Sequence, residues 1–181
     1  MQSSNDLIVV LEKNPSQFHP VVPFDPQKDS IVAMDFTAAN TVLTDELLKD
    51  ITMFAAYVES IIQKAGARYG IGGYAEHRTI YRVSNVFDST GPAGEPRSIH
   101  LGTDIWGSAG TPVMAPLDSI IHSFAFNDRF GDYGATIILS HILDGITFYT
   151  LYGHLSLNSI KNCSEGQRVQ KGTTFAAFGI P

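Results

Sequence analysis

Ala135-Thr136-Ile137-Ile138-Leu139-Ser140-His141-Ile142 and Ile146-Thr147-Phe148-Tyr149-Thr150-Leu151-Tyr152, with Asp144-Gly145 between them, decide the fold. Both runs are rich in β-branched and aromatic residues. An Asp-Gly pair between two such runs signals a hairpin, because both positions of a tight two-residue turn need positive φ. Outward from this pair the same pattern repeats. Ser119 to Phe126 is another strand-like run, and Asn127 to Gly134 is its turn. Further upstream, Thr79 to Phe87 is strand-like, with turn signals at Gly91-Pro92 and at Gly107 to Gly110. Downstream, Gly166 and Gly172 bracket one short strand and open a second. Regular short strands between Gly-rich turns predict an antiparallel sandwich or small barrel.

The text before residue 75 reads differently. Pro15 to Pro26 holds four prolines and excludes a helix interior. Ile31 to Phe36 is strand-like. Thr44 to Ala65 predicts one long amphipathic helix, with Leu47, Leu48, Ile51, Phe54, Ala55, Val58, Ile61, Ile62 and Ala65 on one stripe. Thr44 suits the N-cap, Asp45 and Glu46 suit the positive end, and Gly66 suits the stop. The expectation is a mainly β chain: an added α/β lobe over residues 1–75 and a β domain over 76–181.

The chain has 181 residues, of which 44% are hydrophobic and 17% charged, enough to bury a core. Eighteen acidic against 12 basic residues give a net charge of -6, which argues against nucleic-acid binding through a basic face. The single Cys163 excludes an internal disulfide and a multi-Cys metal site. No apolar run approaches the roughly 18 residues of a membrane span, and the start carries no signal-peptide pattern. By sequence alone the expectation is a cytoplasmic protein.

Six histidines are the residues most able to carry chemistry: His19, His77, His100, His122, His141 and His154. His100 and Asp104 are four apart around Gly102. In a straight strand they would stand about 13 Å apart. A helix would bring them together, but Gly102 and the β-rich surroundings oppose one. A bend at Gly102 is the remaining way to aim both at one point. Imidazole nitrogen with carboxylate oxygen is ordinary zinc chemistry, and an unrelated exposed pair is the alternative at this stage. His154 ends a strand-like run just after Gly153, where a rigid scaffold presents a catalytic group. A histidine bonded into the adjoining loop is the alternative there.

In order, His100-x-x-x-Asp104, Gly110-Thr111-Pro112-Val113-Met114-Ala115-Pro116-Leu117-Asp118, Gly131-Asp132-Tyr133-Gly134, Tyr152-Gly153-His154-Leu155-Ser156 and the Gly166 to Gly172 hairpin resemble the lysostaphin/LytM-type zinc metalloendopeptidases. The likeness spans about residues 95–181. It implies a lysostaphin-like antiparallel β peptidase domain with a central groove, acting on peptide cross-links of bacterial peptidoglycan. It implies that His100 and Asp104 are zinc ligands and that His154 is a catalytic histidine off the metal. It leaves His141 and His122 as structural and His77 outside the pattern, with a place on the groove rim open to it. Family members act outside the cytoplasm, so the resemblance points to export where the sequence itself does not.

The family pattern also supplies a third zinc ligand and a second catalytic histidine from a His-x-His pair, which this sequence does not contain. The expectation is that residues beyond Pro181 supply them in a longer enzyme. The alternative is a catalytically degenerate scaffold that binds a peptide or a protein. A different metal hydrolase, ligating zinc through His100, Asp104 and His154 together, is a further reading.

Overall fold

A computed structural model describes residues 4–82, 98–128 and 132–180. The chain is mainly β and divides into two compact units. The first helix, α1 (Ser4–Lys13), belongs with the unit that contains Ala109–Asp128 and Asp132–Ile180; the other unit is Asp25–Ser108.

The Asp25–Ser108 unit is built around strand β1 (Ile31–Met34), helices α2 (Asp45–Lys49) and α3 (Ile51–Lys64), and strand β2 (Tyr69–Gly72). β1 and β2 pair in parallel, with Ile31 opposite Tyr69. Parallel neighbours need a crossover, and α2 and α3 supply it. Strands β3 (Glu76–His77) and β4 (Ile99–His100) form a small antiparallel pair. Strand β5 (Ile105–Trp106) joins the open edge of β2 in antiparallel fashion. Met34, Phe36, Leu43, Leu47, Leu48 and Val58 form the core, and the rings of Phe36, Phe54 and Trp106 meet with centroids 5.6–5.7 Å apart.

The single helix expected over Thr44 to Ala65 is two helices. Asp50 is extended (φ -102°, ψ 104°), and its carboxylate accepts hydrogen bonds from the main-chain N–H groups of Thr52 and Met53. It closes α2 and caps α3, an alternative to helix that aspartate offers its own backbone. Thr44 caps α2 as expected, accepting from the N–H of Leu47. The break turns Ile51 out of the stripe, and it is exposed. A second difference concerns Thr79 to Phe87: Thr79–Arg82 is a 3-10 turn rather than strand, and residues 83–87 lie outside the described residues, as does the Gly91-Pro92 turn.

The other unit carries strands β6 (Pro112–Met114), β7 (Ser119–Asn127), β8 (Gly134–Leu143) and β9 (Ile146–Leu155), short helix α4 (Leu157–Lys161), and strands β10 (Arg168–Val169) and β11 (Thr174–Ala177). The main sheet is antiparallel throughout, in the order β10-β7-β8-β9, and β6 pairs with β11. The hairpin expected at Asp144-Gly145 is present, with φ values of 49° and 78°. Along β8, Ala135, Ile137, Leu139, His141 and Leu143 are buried at every second position. They define one inner face. Ile137 and Leu139 meet Val113, Ala115, Ile121, Leu155, Val169 and Ala176 in its main core. Leu143 and Phe148 meet Leu117 and the α1 residues Leu7, Val10 and Leu11 in a second cluster.

Candidate functional site

β4 ends at His100, whose strand position faces Glu76 on β3. The backbone bends at Gly102 and reaches Asp104 just before β5. Asp104 is pinned by its own main chain, since its carbonyl accepts from the N–H of Gly72 at 2.9 Å. The bend brings the two side chains together, with His100 Nε2 and Asp104 Oδ1 3.5 Å apart. Two donor atoms about 2.0–2.2 Å from one tetrahedral ion stand about 3.4 Å from each other, so this separation fits a shared zinc. The other imidazole nitrogen, Nδ1, faces the carbonyl of Gly73 at 3.5 Å. A carbonyl there favours the tautomer that leaves Nε2 free to coordinate.

Asp104 Oδ2 is already engaged, accepting from Nη1 of Arg78 in a short ion pair. Arg78 also donates from Nε to Glu76 Oε2 at 2.8 Å. The sequence reading missed both residues. Nothing in the Glu76-His77-Arg78 text links Arg78 to a position 26 residues further on. Among the described residues no group of three or more His, Cys, Asp or Glu side chains is placed to hold a metal ion. His77 is exposed on β3, opposite Ile99.

In the other unit, His154 is exposed near the end of β9. Ala135 pairs with Leu155 and Ile137 with Tyr152, so Gly153 and His154 together face the single Thr136. This is a β-bulge, a device that re-aims a side chain. His154 has φ of 54°, uncommon for a residue with a side chain. Two main-chain bonds hold it there: its N–H donates to the Tyr133 carbonyl at 2.6 Å, and its carbonyl accepts from the Gly179 N–H at 2.9 Å. The Tyr133 and His154 rings lie 6.3 Å apart.

His141 and His122 occupy β8 and β7. His141 is 1% exposed, stacks on Phe148 at 5.1 Å, and shares a 2.8 Å hydrogen bond between Nε2 and Thr150 Oγ1. Burial lowers its pKa below the usual histidine value, partly offset by the Asp118 main chain. The Asp118 interaction falls short of a full hydrogen bond, since Nδ1 has no partner of good geometry among the described residues. His122 is exposed, with its ring edge against Tyr149 at 5.0 Å. Cys163, with its thiol against the Ser159 carbonyl, has its pKa raised by burial. A raised thiol pKa is the opposite of what a nucleophile needs.

Residues 98–180 match the family described as Peptidase family M23. Over 80 residues the chain is 38% identical to a protein of Haemophilus influenzae named "Uncharacterized metalloprotease", an alignment covering 44% of this chain and 15% of that protein. The chain thus spans a small part of that relative's length. No solved structure matches significantly. No helix among the described residues is long and apolar enough to cross a membrane.

Proposed function

We propose, from the premise that residues 98–180 belong to peptidase family M23, that this protein is a zinc-dependent endopeptidase acting on the peptides of bacterial cell walls. The observation that carries the reading is the 3.5 Å approach of His100 Nε2 to Asp104 Oδ1. These two groups would hold the ion, leaving positions for water or another donor. Bound zinc lowers the pKa of its water towards 7 and polarises a carbonyl. Hydrolysis adds hydroxide to the carbonyl carbon and a proton to the departing nitrogen. His154, exposed and of the side-chain type that moves protons near neutral pH, is the candidate for that proton.

The reading is tested by zinc content and by cleavage of glycine-rich and D-amino-acid peptides and of purified cell walls. Both are measured in this chain and in any longer gene product that carries it. His100→Ala and Asp104→Asn are expected to lose zinc. His154→Ala is expected to keep zinc and to lose about 10²–10⁴-fold in turnover. A protein that neither holds zinc nor cleaves any of these substrates overturns the reading. A scaffold that binds peptides without cutting them is the second reading. The Arg78 ion pair is the observation behind it, because Oδ2 of Asp104 is taken by a side chain rather than open to a metal. Peptide binding with no turnover in zinc-loaded protein would establish it.

A further inference from the structure

Arg78 is 6% exposed, a rare position for a guanidinium unless it is paired. It is paired on two sides, through Nε to Glu76 Oε2 and through Nη1 to Asp104 Oδ2. Its guanidinium carbon lies 5.4 Å from the centre of the Phe36 ring. Glu76 is fixed in turn, since its Oε1 accepts from the main-chain N–H of Phe36 at 3.0 Å. Gly72 leaves the room this needs. A Cβ there would stand 2.9 Å from Arg78 Nη2 and 3.3 Å from Asp104 Cβ. All of these groups lie in the Asp25–Ser108 unit.

We propose that Arg78 is a positioning residue for Asp104. It takes Oδ2 and so turns Oδ1 towards His100 Nε2, which sets the carboxylate as a one-oxygen ligand. The proposal rests on the zinc reading of the site. An unanchored carboxylate rotates and presents either oxygen, and the Nη1 contact of a guanidinium itself held by Glu76 through Nε limits that freedom. The charges also suit a cation. Glu76 offsets Arg78, so the formal charge of the Glu76–Arg78–Asp104 set is -1. The buried arginine therefore orders the ligand without cancelling its attraction for a metal. Partners of metal-bound carboxylates and imidazoles typically change affinity about 10–100-fold when removed.

The test uses the full chain with ¹⁵N-labelled histidine, titrated with zinc chloride while the His100 ring nitrogens are followed by NMR. Asp104→Asn is the reference for a lost ligand. Arg78→Gln is expected to raise the zinc concentration at half-saturation about 10–100-fold. Arg78→Lys should recover part of the loss, keeping the charge without the fork. Glu76→Gln should weaken zinc more modestly, by leaving Arg78 uncompensated. A metal-free measurement runs beside these: three-bond couplings to the Asp104 β protons, which report rotation about Cα–Cβ, should show one rotamer in the parent, anchored by the Arg78 contact, and averaging in Arg78→Gln. A folded Arg78→Gln with unchanged zinc response, or with the parent rotamer, overturns the proposal. If Arg78→Gln does not fold, parent-like zinc response and rotamer in both Arg78→Lys and Glu76→Gln overturn it. If neither the parent nor a longer gene product that carries it shows a zinc response at His100, the zinc reading fails, and the Asp104 rotamer alone decides whether Arg78 positions it.

Discussion

The ring of Tyr133 fills the space that a side chain at position 153 would need: a Cβ on Gly153 would stand 2.9 Å from Tyr133 Cδ1 and 3.2 Å from its Cβ. The glycine before the candidate catalytic histidine is therefore a packing requirement. Gly153→Ala is expected to push Tyr133 out and to destabilise the protein by about 1–3 kcal/mol, the usual penalty of overpacking. Urea unfolding checks the stability. Because Tyr133 also accepts the His154 N–H, the substitution should lower turnover beyond its effect on folding. Unchanged stability would mean that Tyr133 has somewhere else to go.

His154 itself sits at φ 54°. Side chains in this left-handed region carry roughly 1–2 kcal/mol of strain. Glycine carries none, but it loses more chain entropy on folding, by about 0.5–1 kcal/mol. His154→Gly should therefore be more stable than His154→Ala by up to about 1.5 kcal/mol, although the glycine variant removes more atoms. Both should show the same loss in turnover, about 10²–10⁴-fold. Thermal unfolding of the two variants side by side measures the difference, and an alanine variant at least as stable as the glycine variant would show that the bulge relaxes.

How far these features could be read in advance follows from where their causes lie. The β8–β9 hairpin was legible because Asp144-Gly145 encodes its positive φ values locally, between two runs rich in β-branched and aromatic residues. The bend bringing His100 to Asp104 was legible because Gly102 lies between them. The helix break was not, since the apolar stripe runs straight through Asp50 while the event that ends α2 is a side-chain bond to Thr52 and Met53. Arg78 was out of reach for a different reason. A buried guanidinium is defined by partners that meet only after β3, β4 and the Asp104 loop are in place. The bulge at Gly153-His154 likewise needs the register against Thr136.

His141 gives the sequence-distant core a pH dependence. Its imidazole is buried against Phe148, with Thr150 Oγ1 on Nε2 and the Asp118 main chain on the other side, and no acidic side chain is bonded to it among the described residues. Burial lowers its folded pKa below the ordinary histidine value of about 6.5. The unfolded chain therefore binds the proton more readily, and stability rises with pH wherever the two states differ in protonation. The contribution is complete above the unfolded value of about 6.5 and is lost as pH falls below it towards the folded pKa. Unfolding free energies measured from pH 8 down to pH 5 should fall through this window in the parent. His141→Leu should show a shallower slope, whatever its stability at pH 8. Equal slopes in the two proteins would place the dependence elsewhere.

Gly102 offers a way to disturb the candidate ligand pair while sparing the fold. A Cβ there would meet His100 Nε2 at 3.1 Å and Cε1 at 3.3 Å, with no main-chain atom among its close neighbours. The atoms that must yield belong to the far end of an imidazole, which turns aside at little cost. Gly102→Ala is therefore expected to stay within about 0.5 kcal/mol of the parent in stability, the range of substitutions that touch no core feature. The same displacement moves Nε2 away from its 3.5 Å approach to Asp104 Oδ1. Zinc affinity should then fall about 10-fold or more, on the scale seen when ligand orientation is disturbed. Isothermal titration with zinc, paired with thermal unfolding of the metal-free protein, separates the two effects. Loss of stability in step with loss of zinc would mean that Gly102 shapes the fold of the loop. Full retention of both would mean that the imidazole's place beside Asp104 does not govern metal binding.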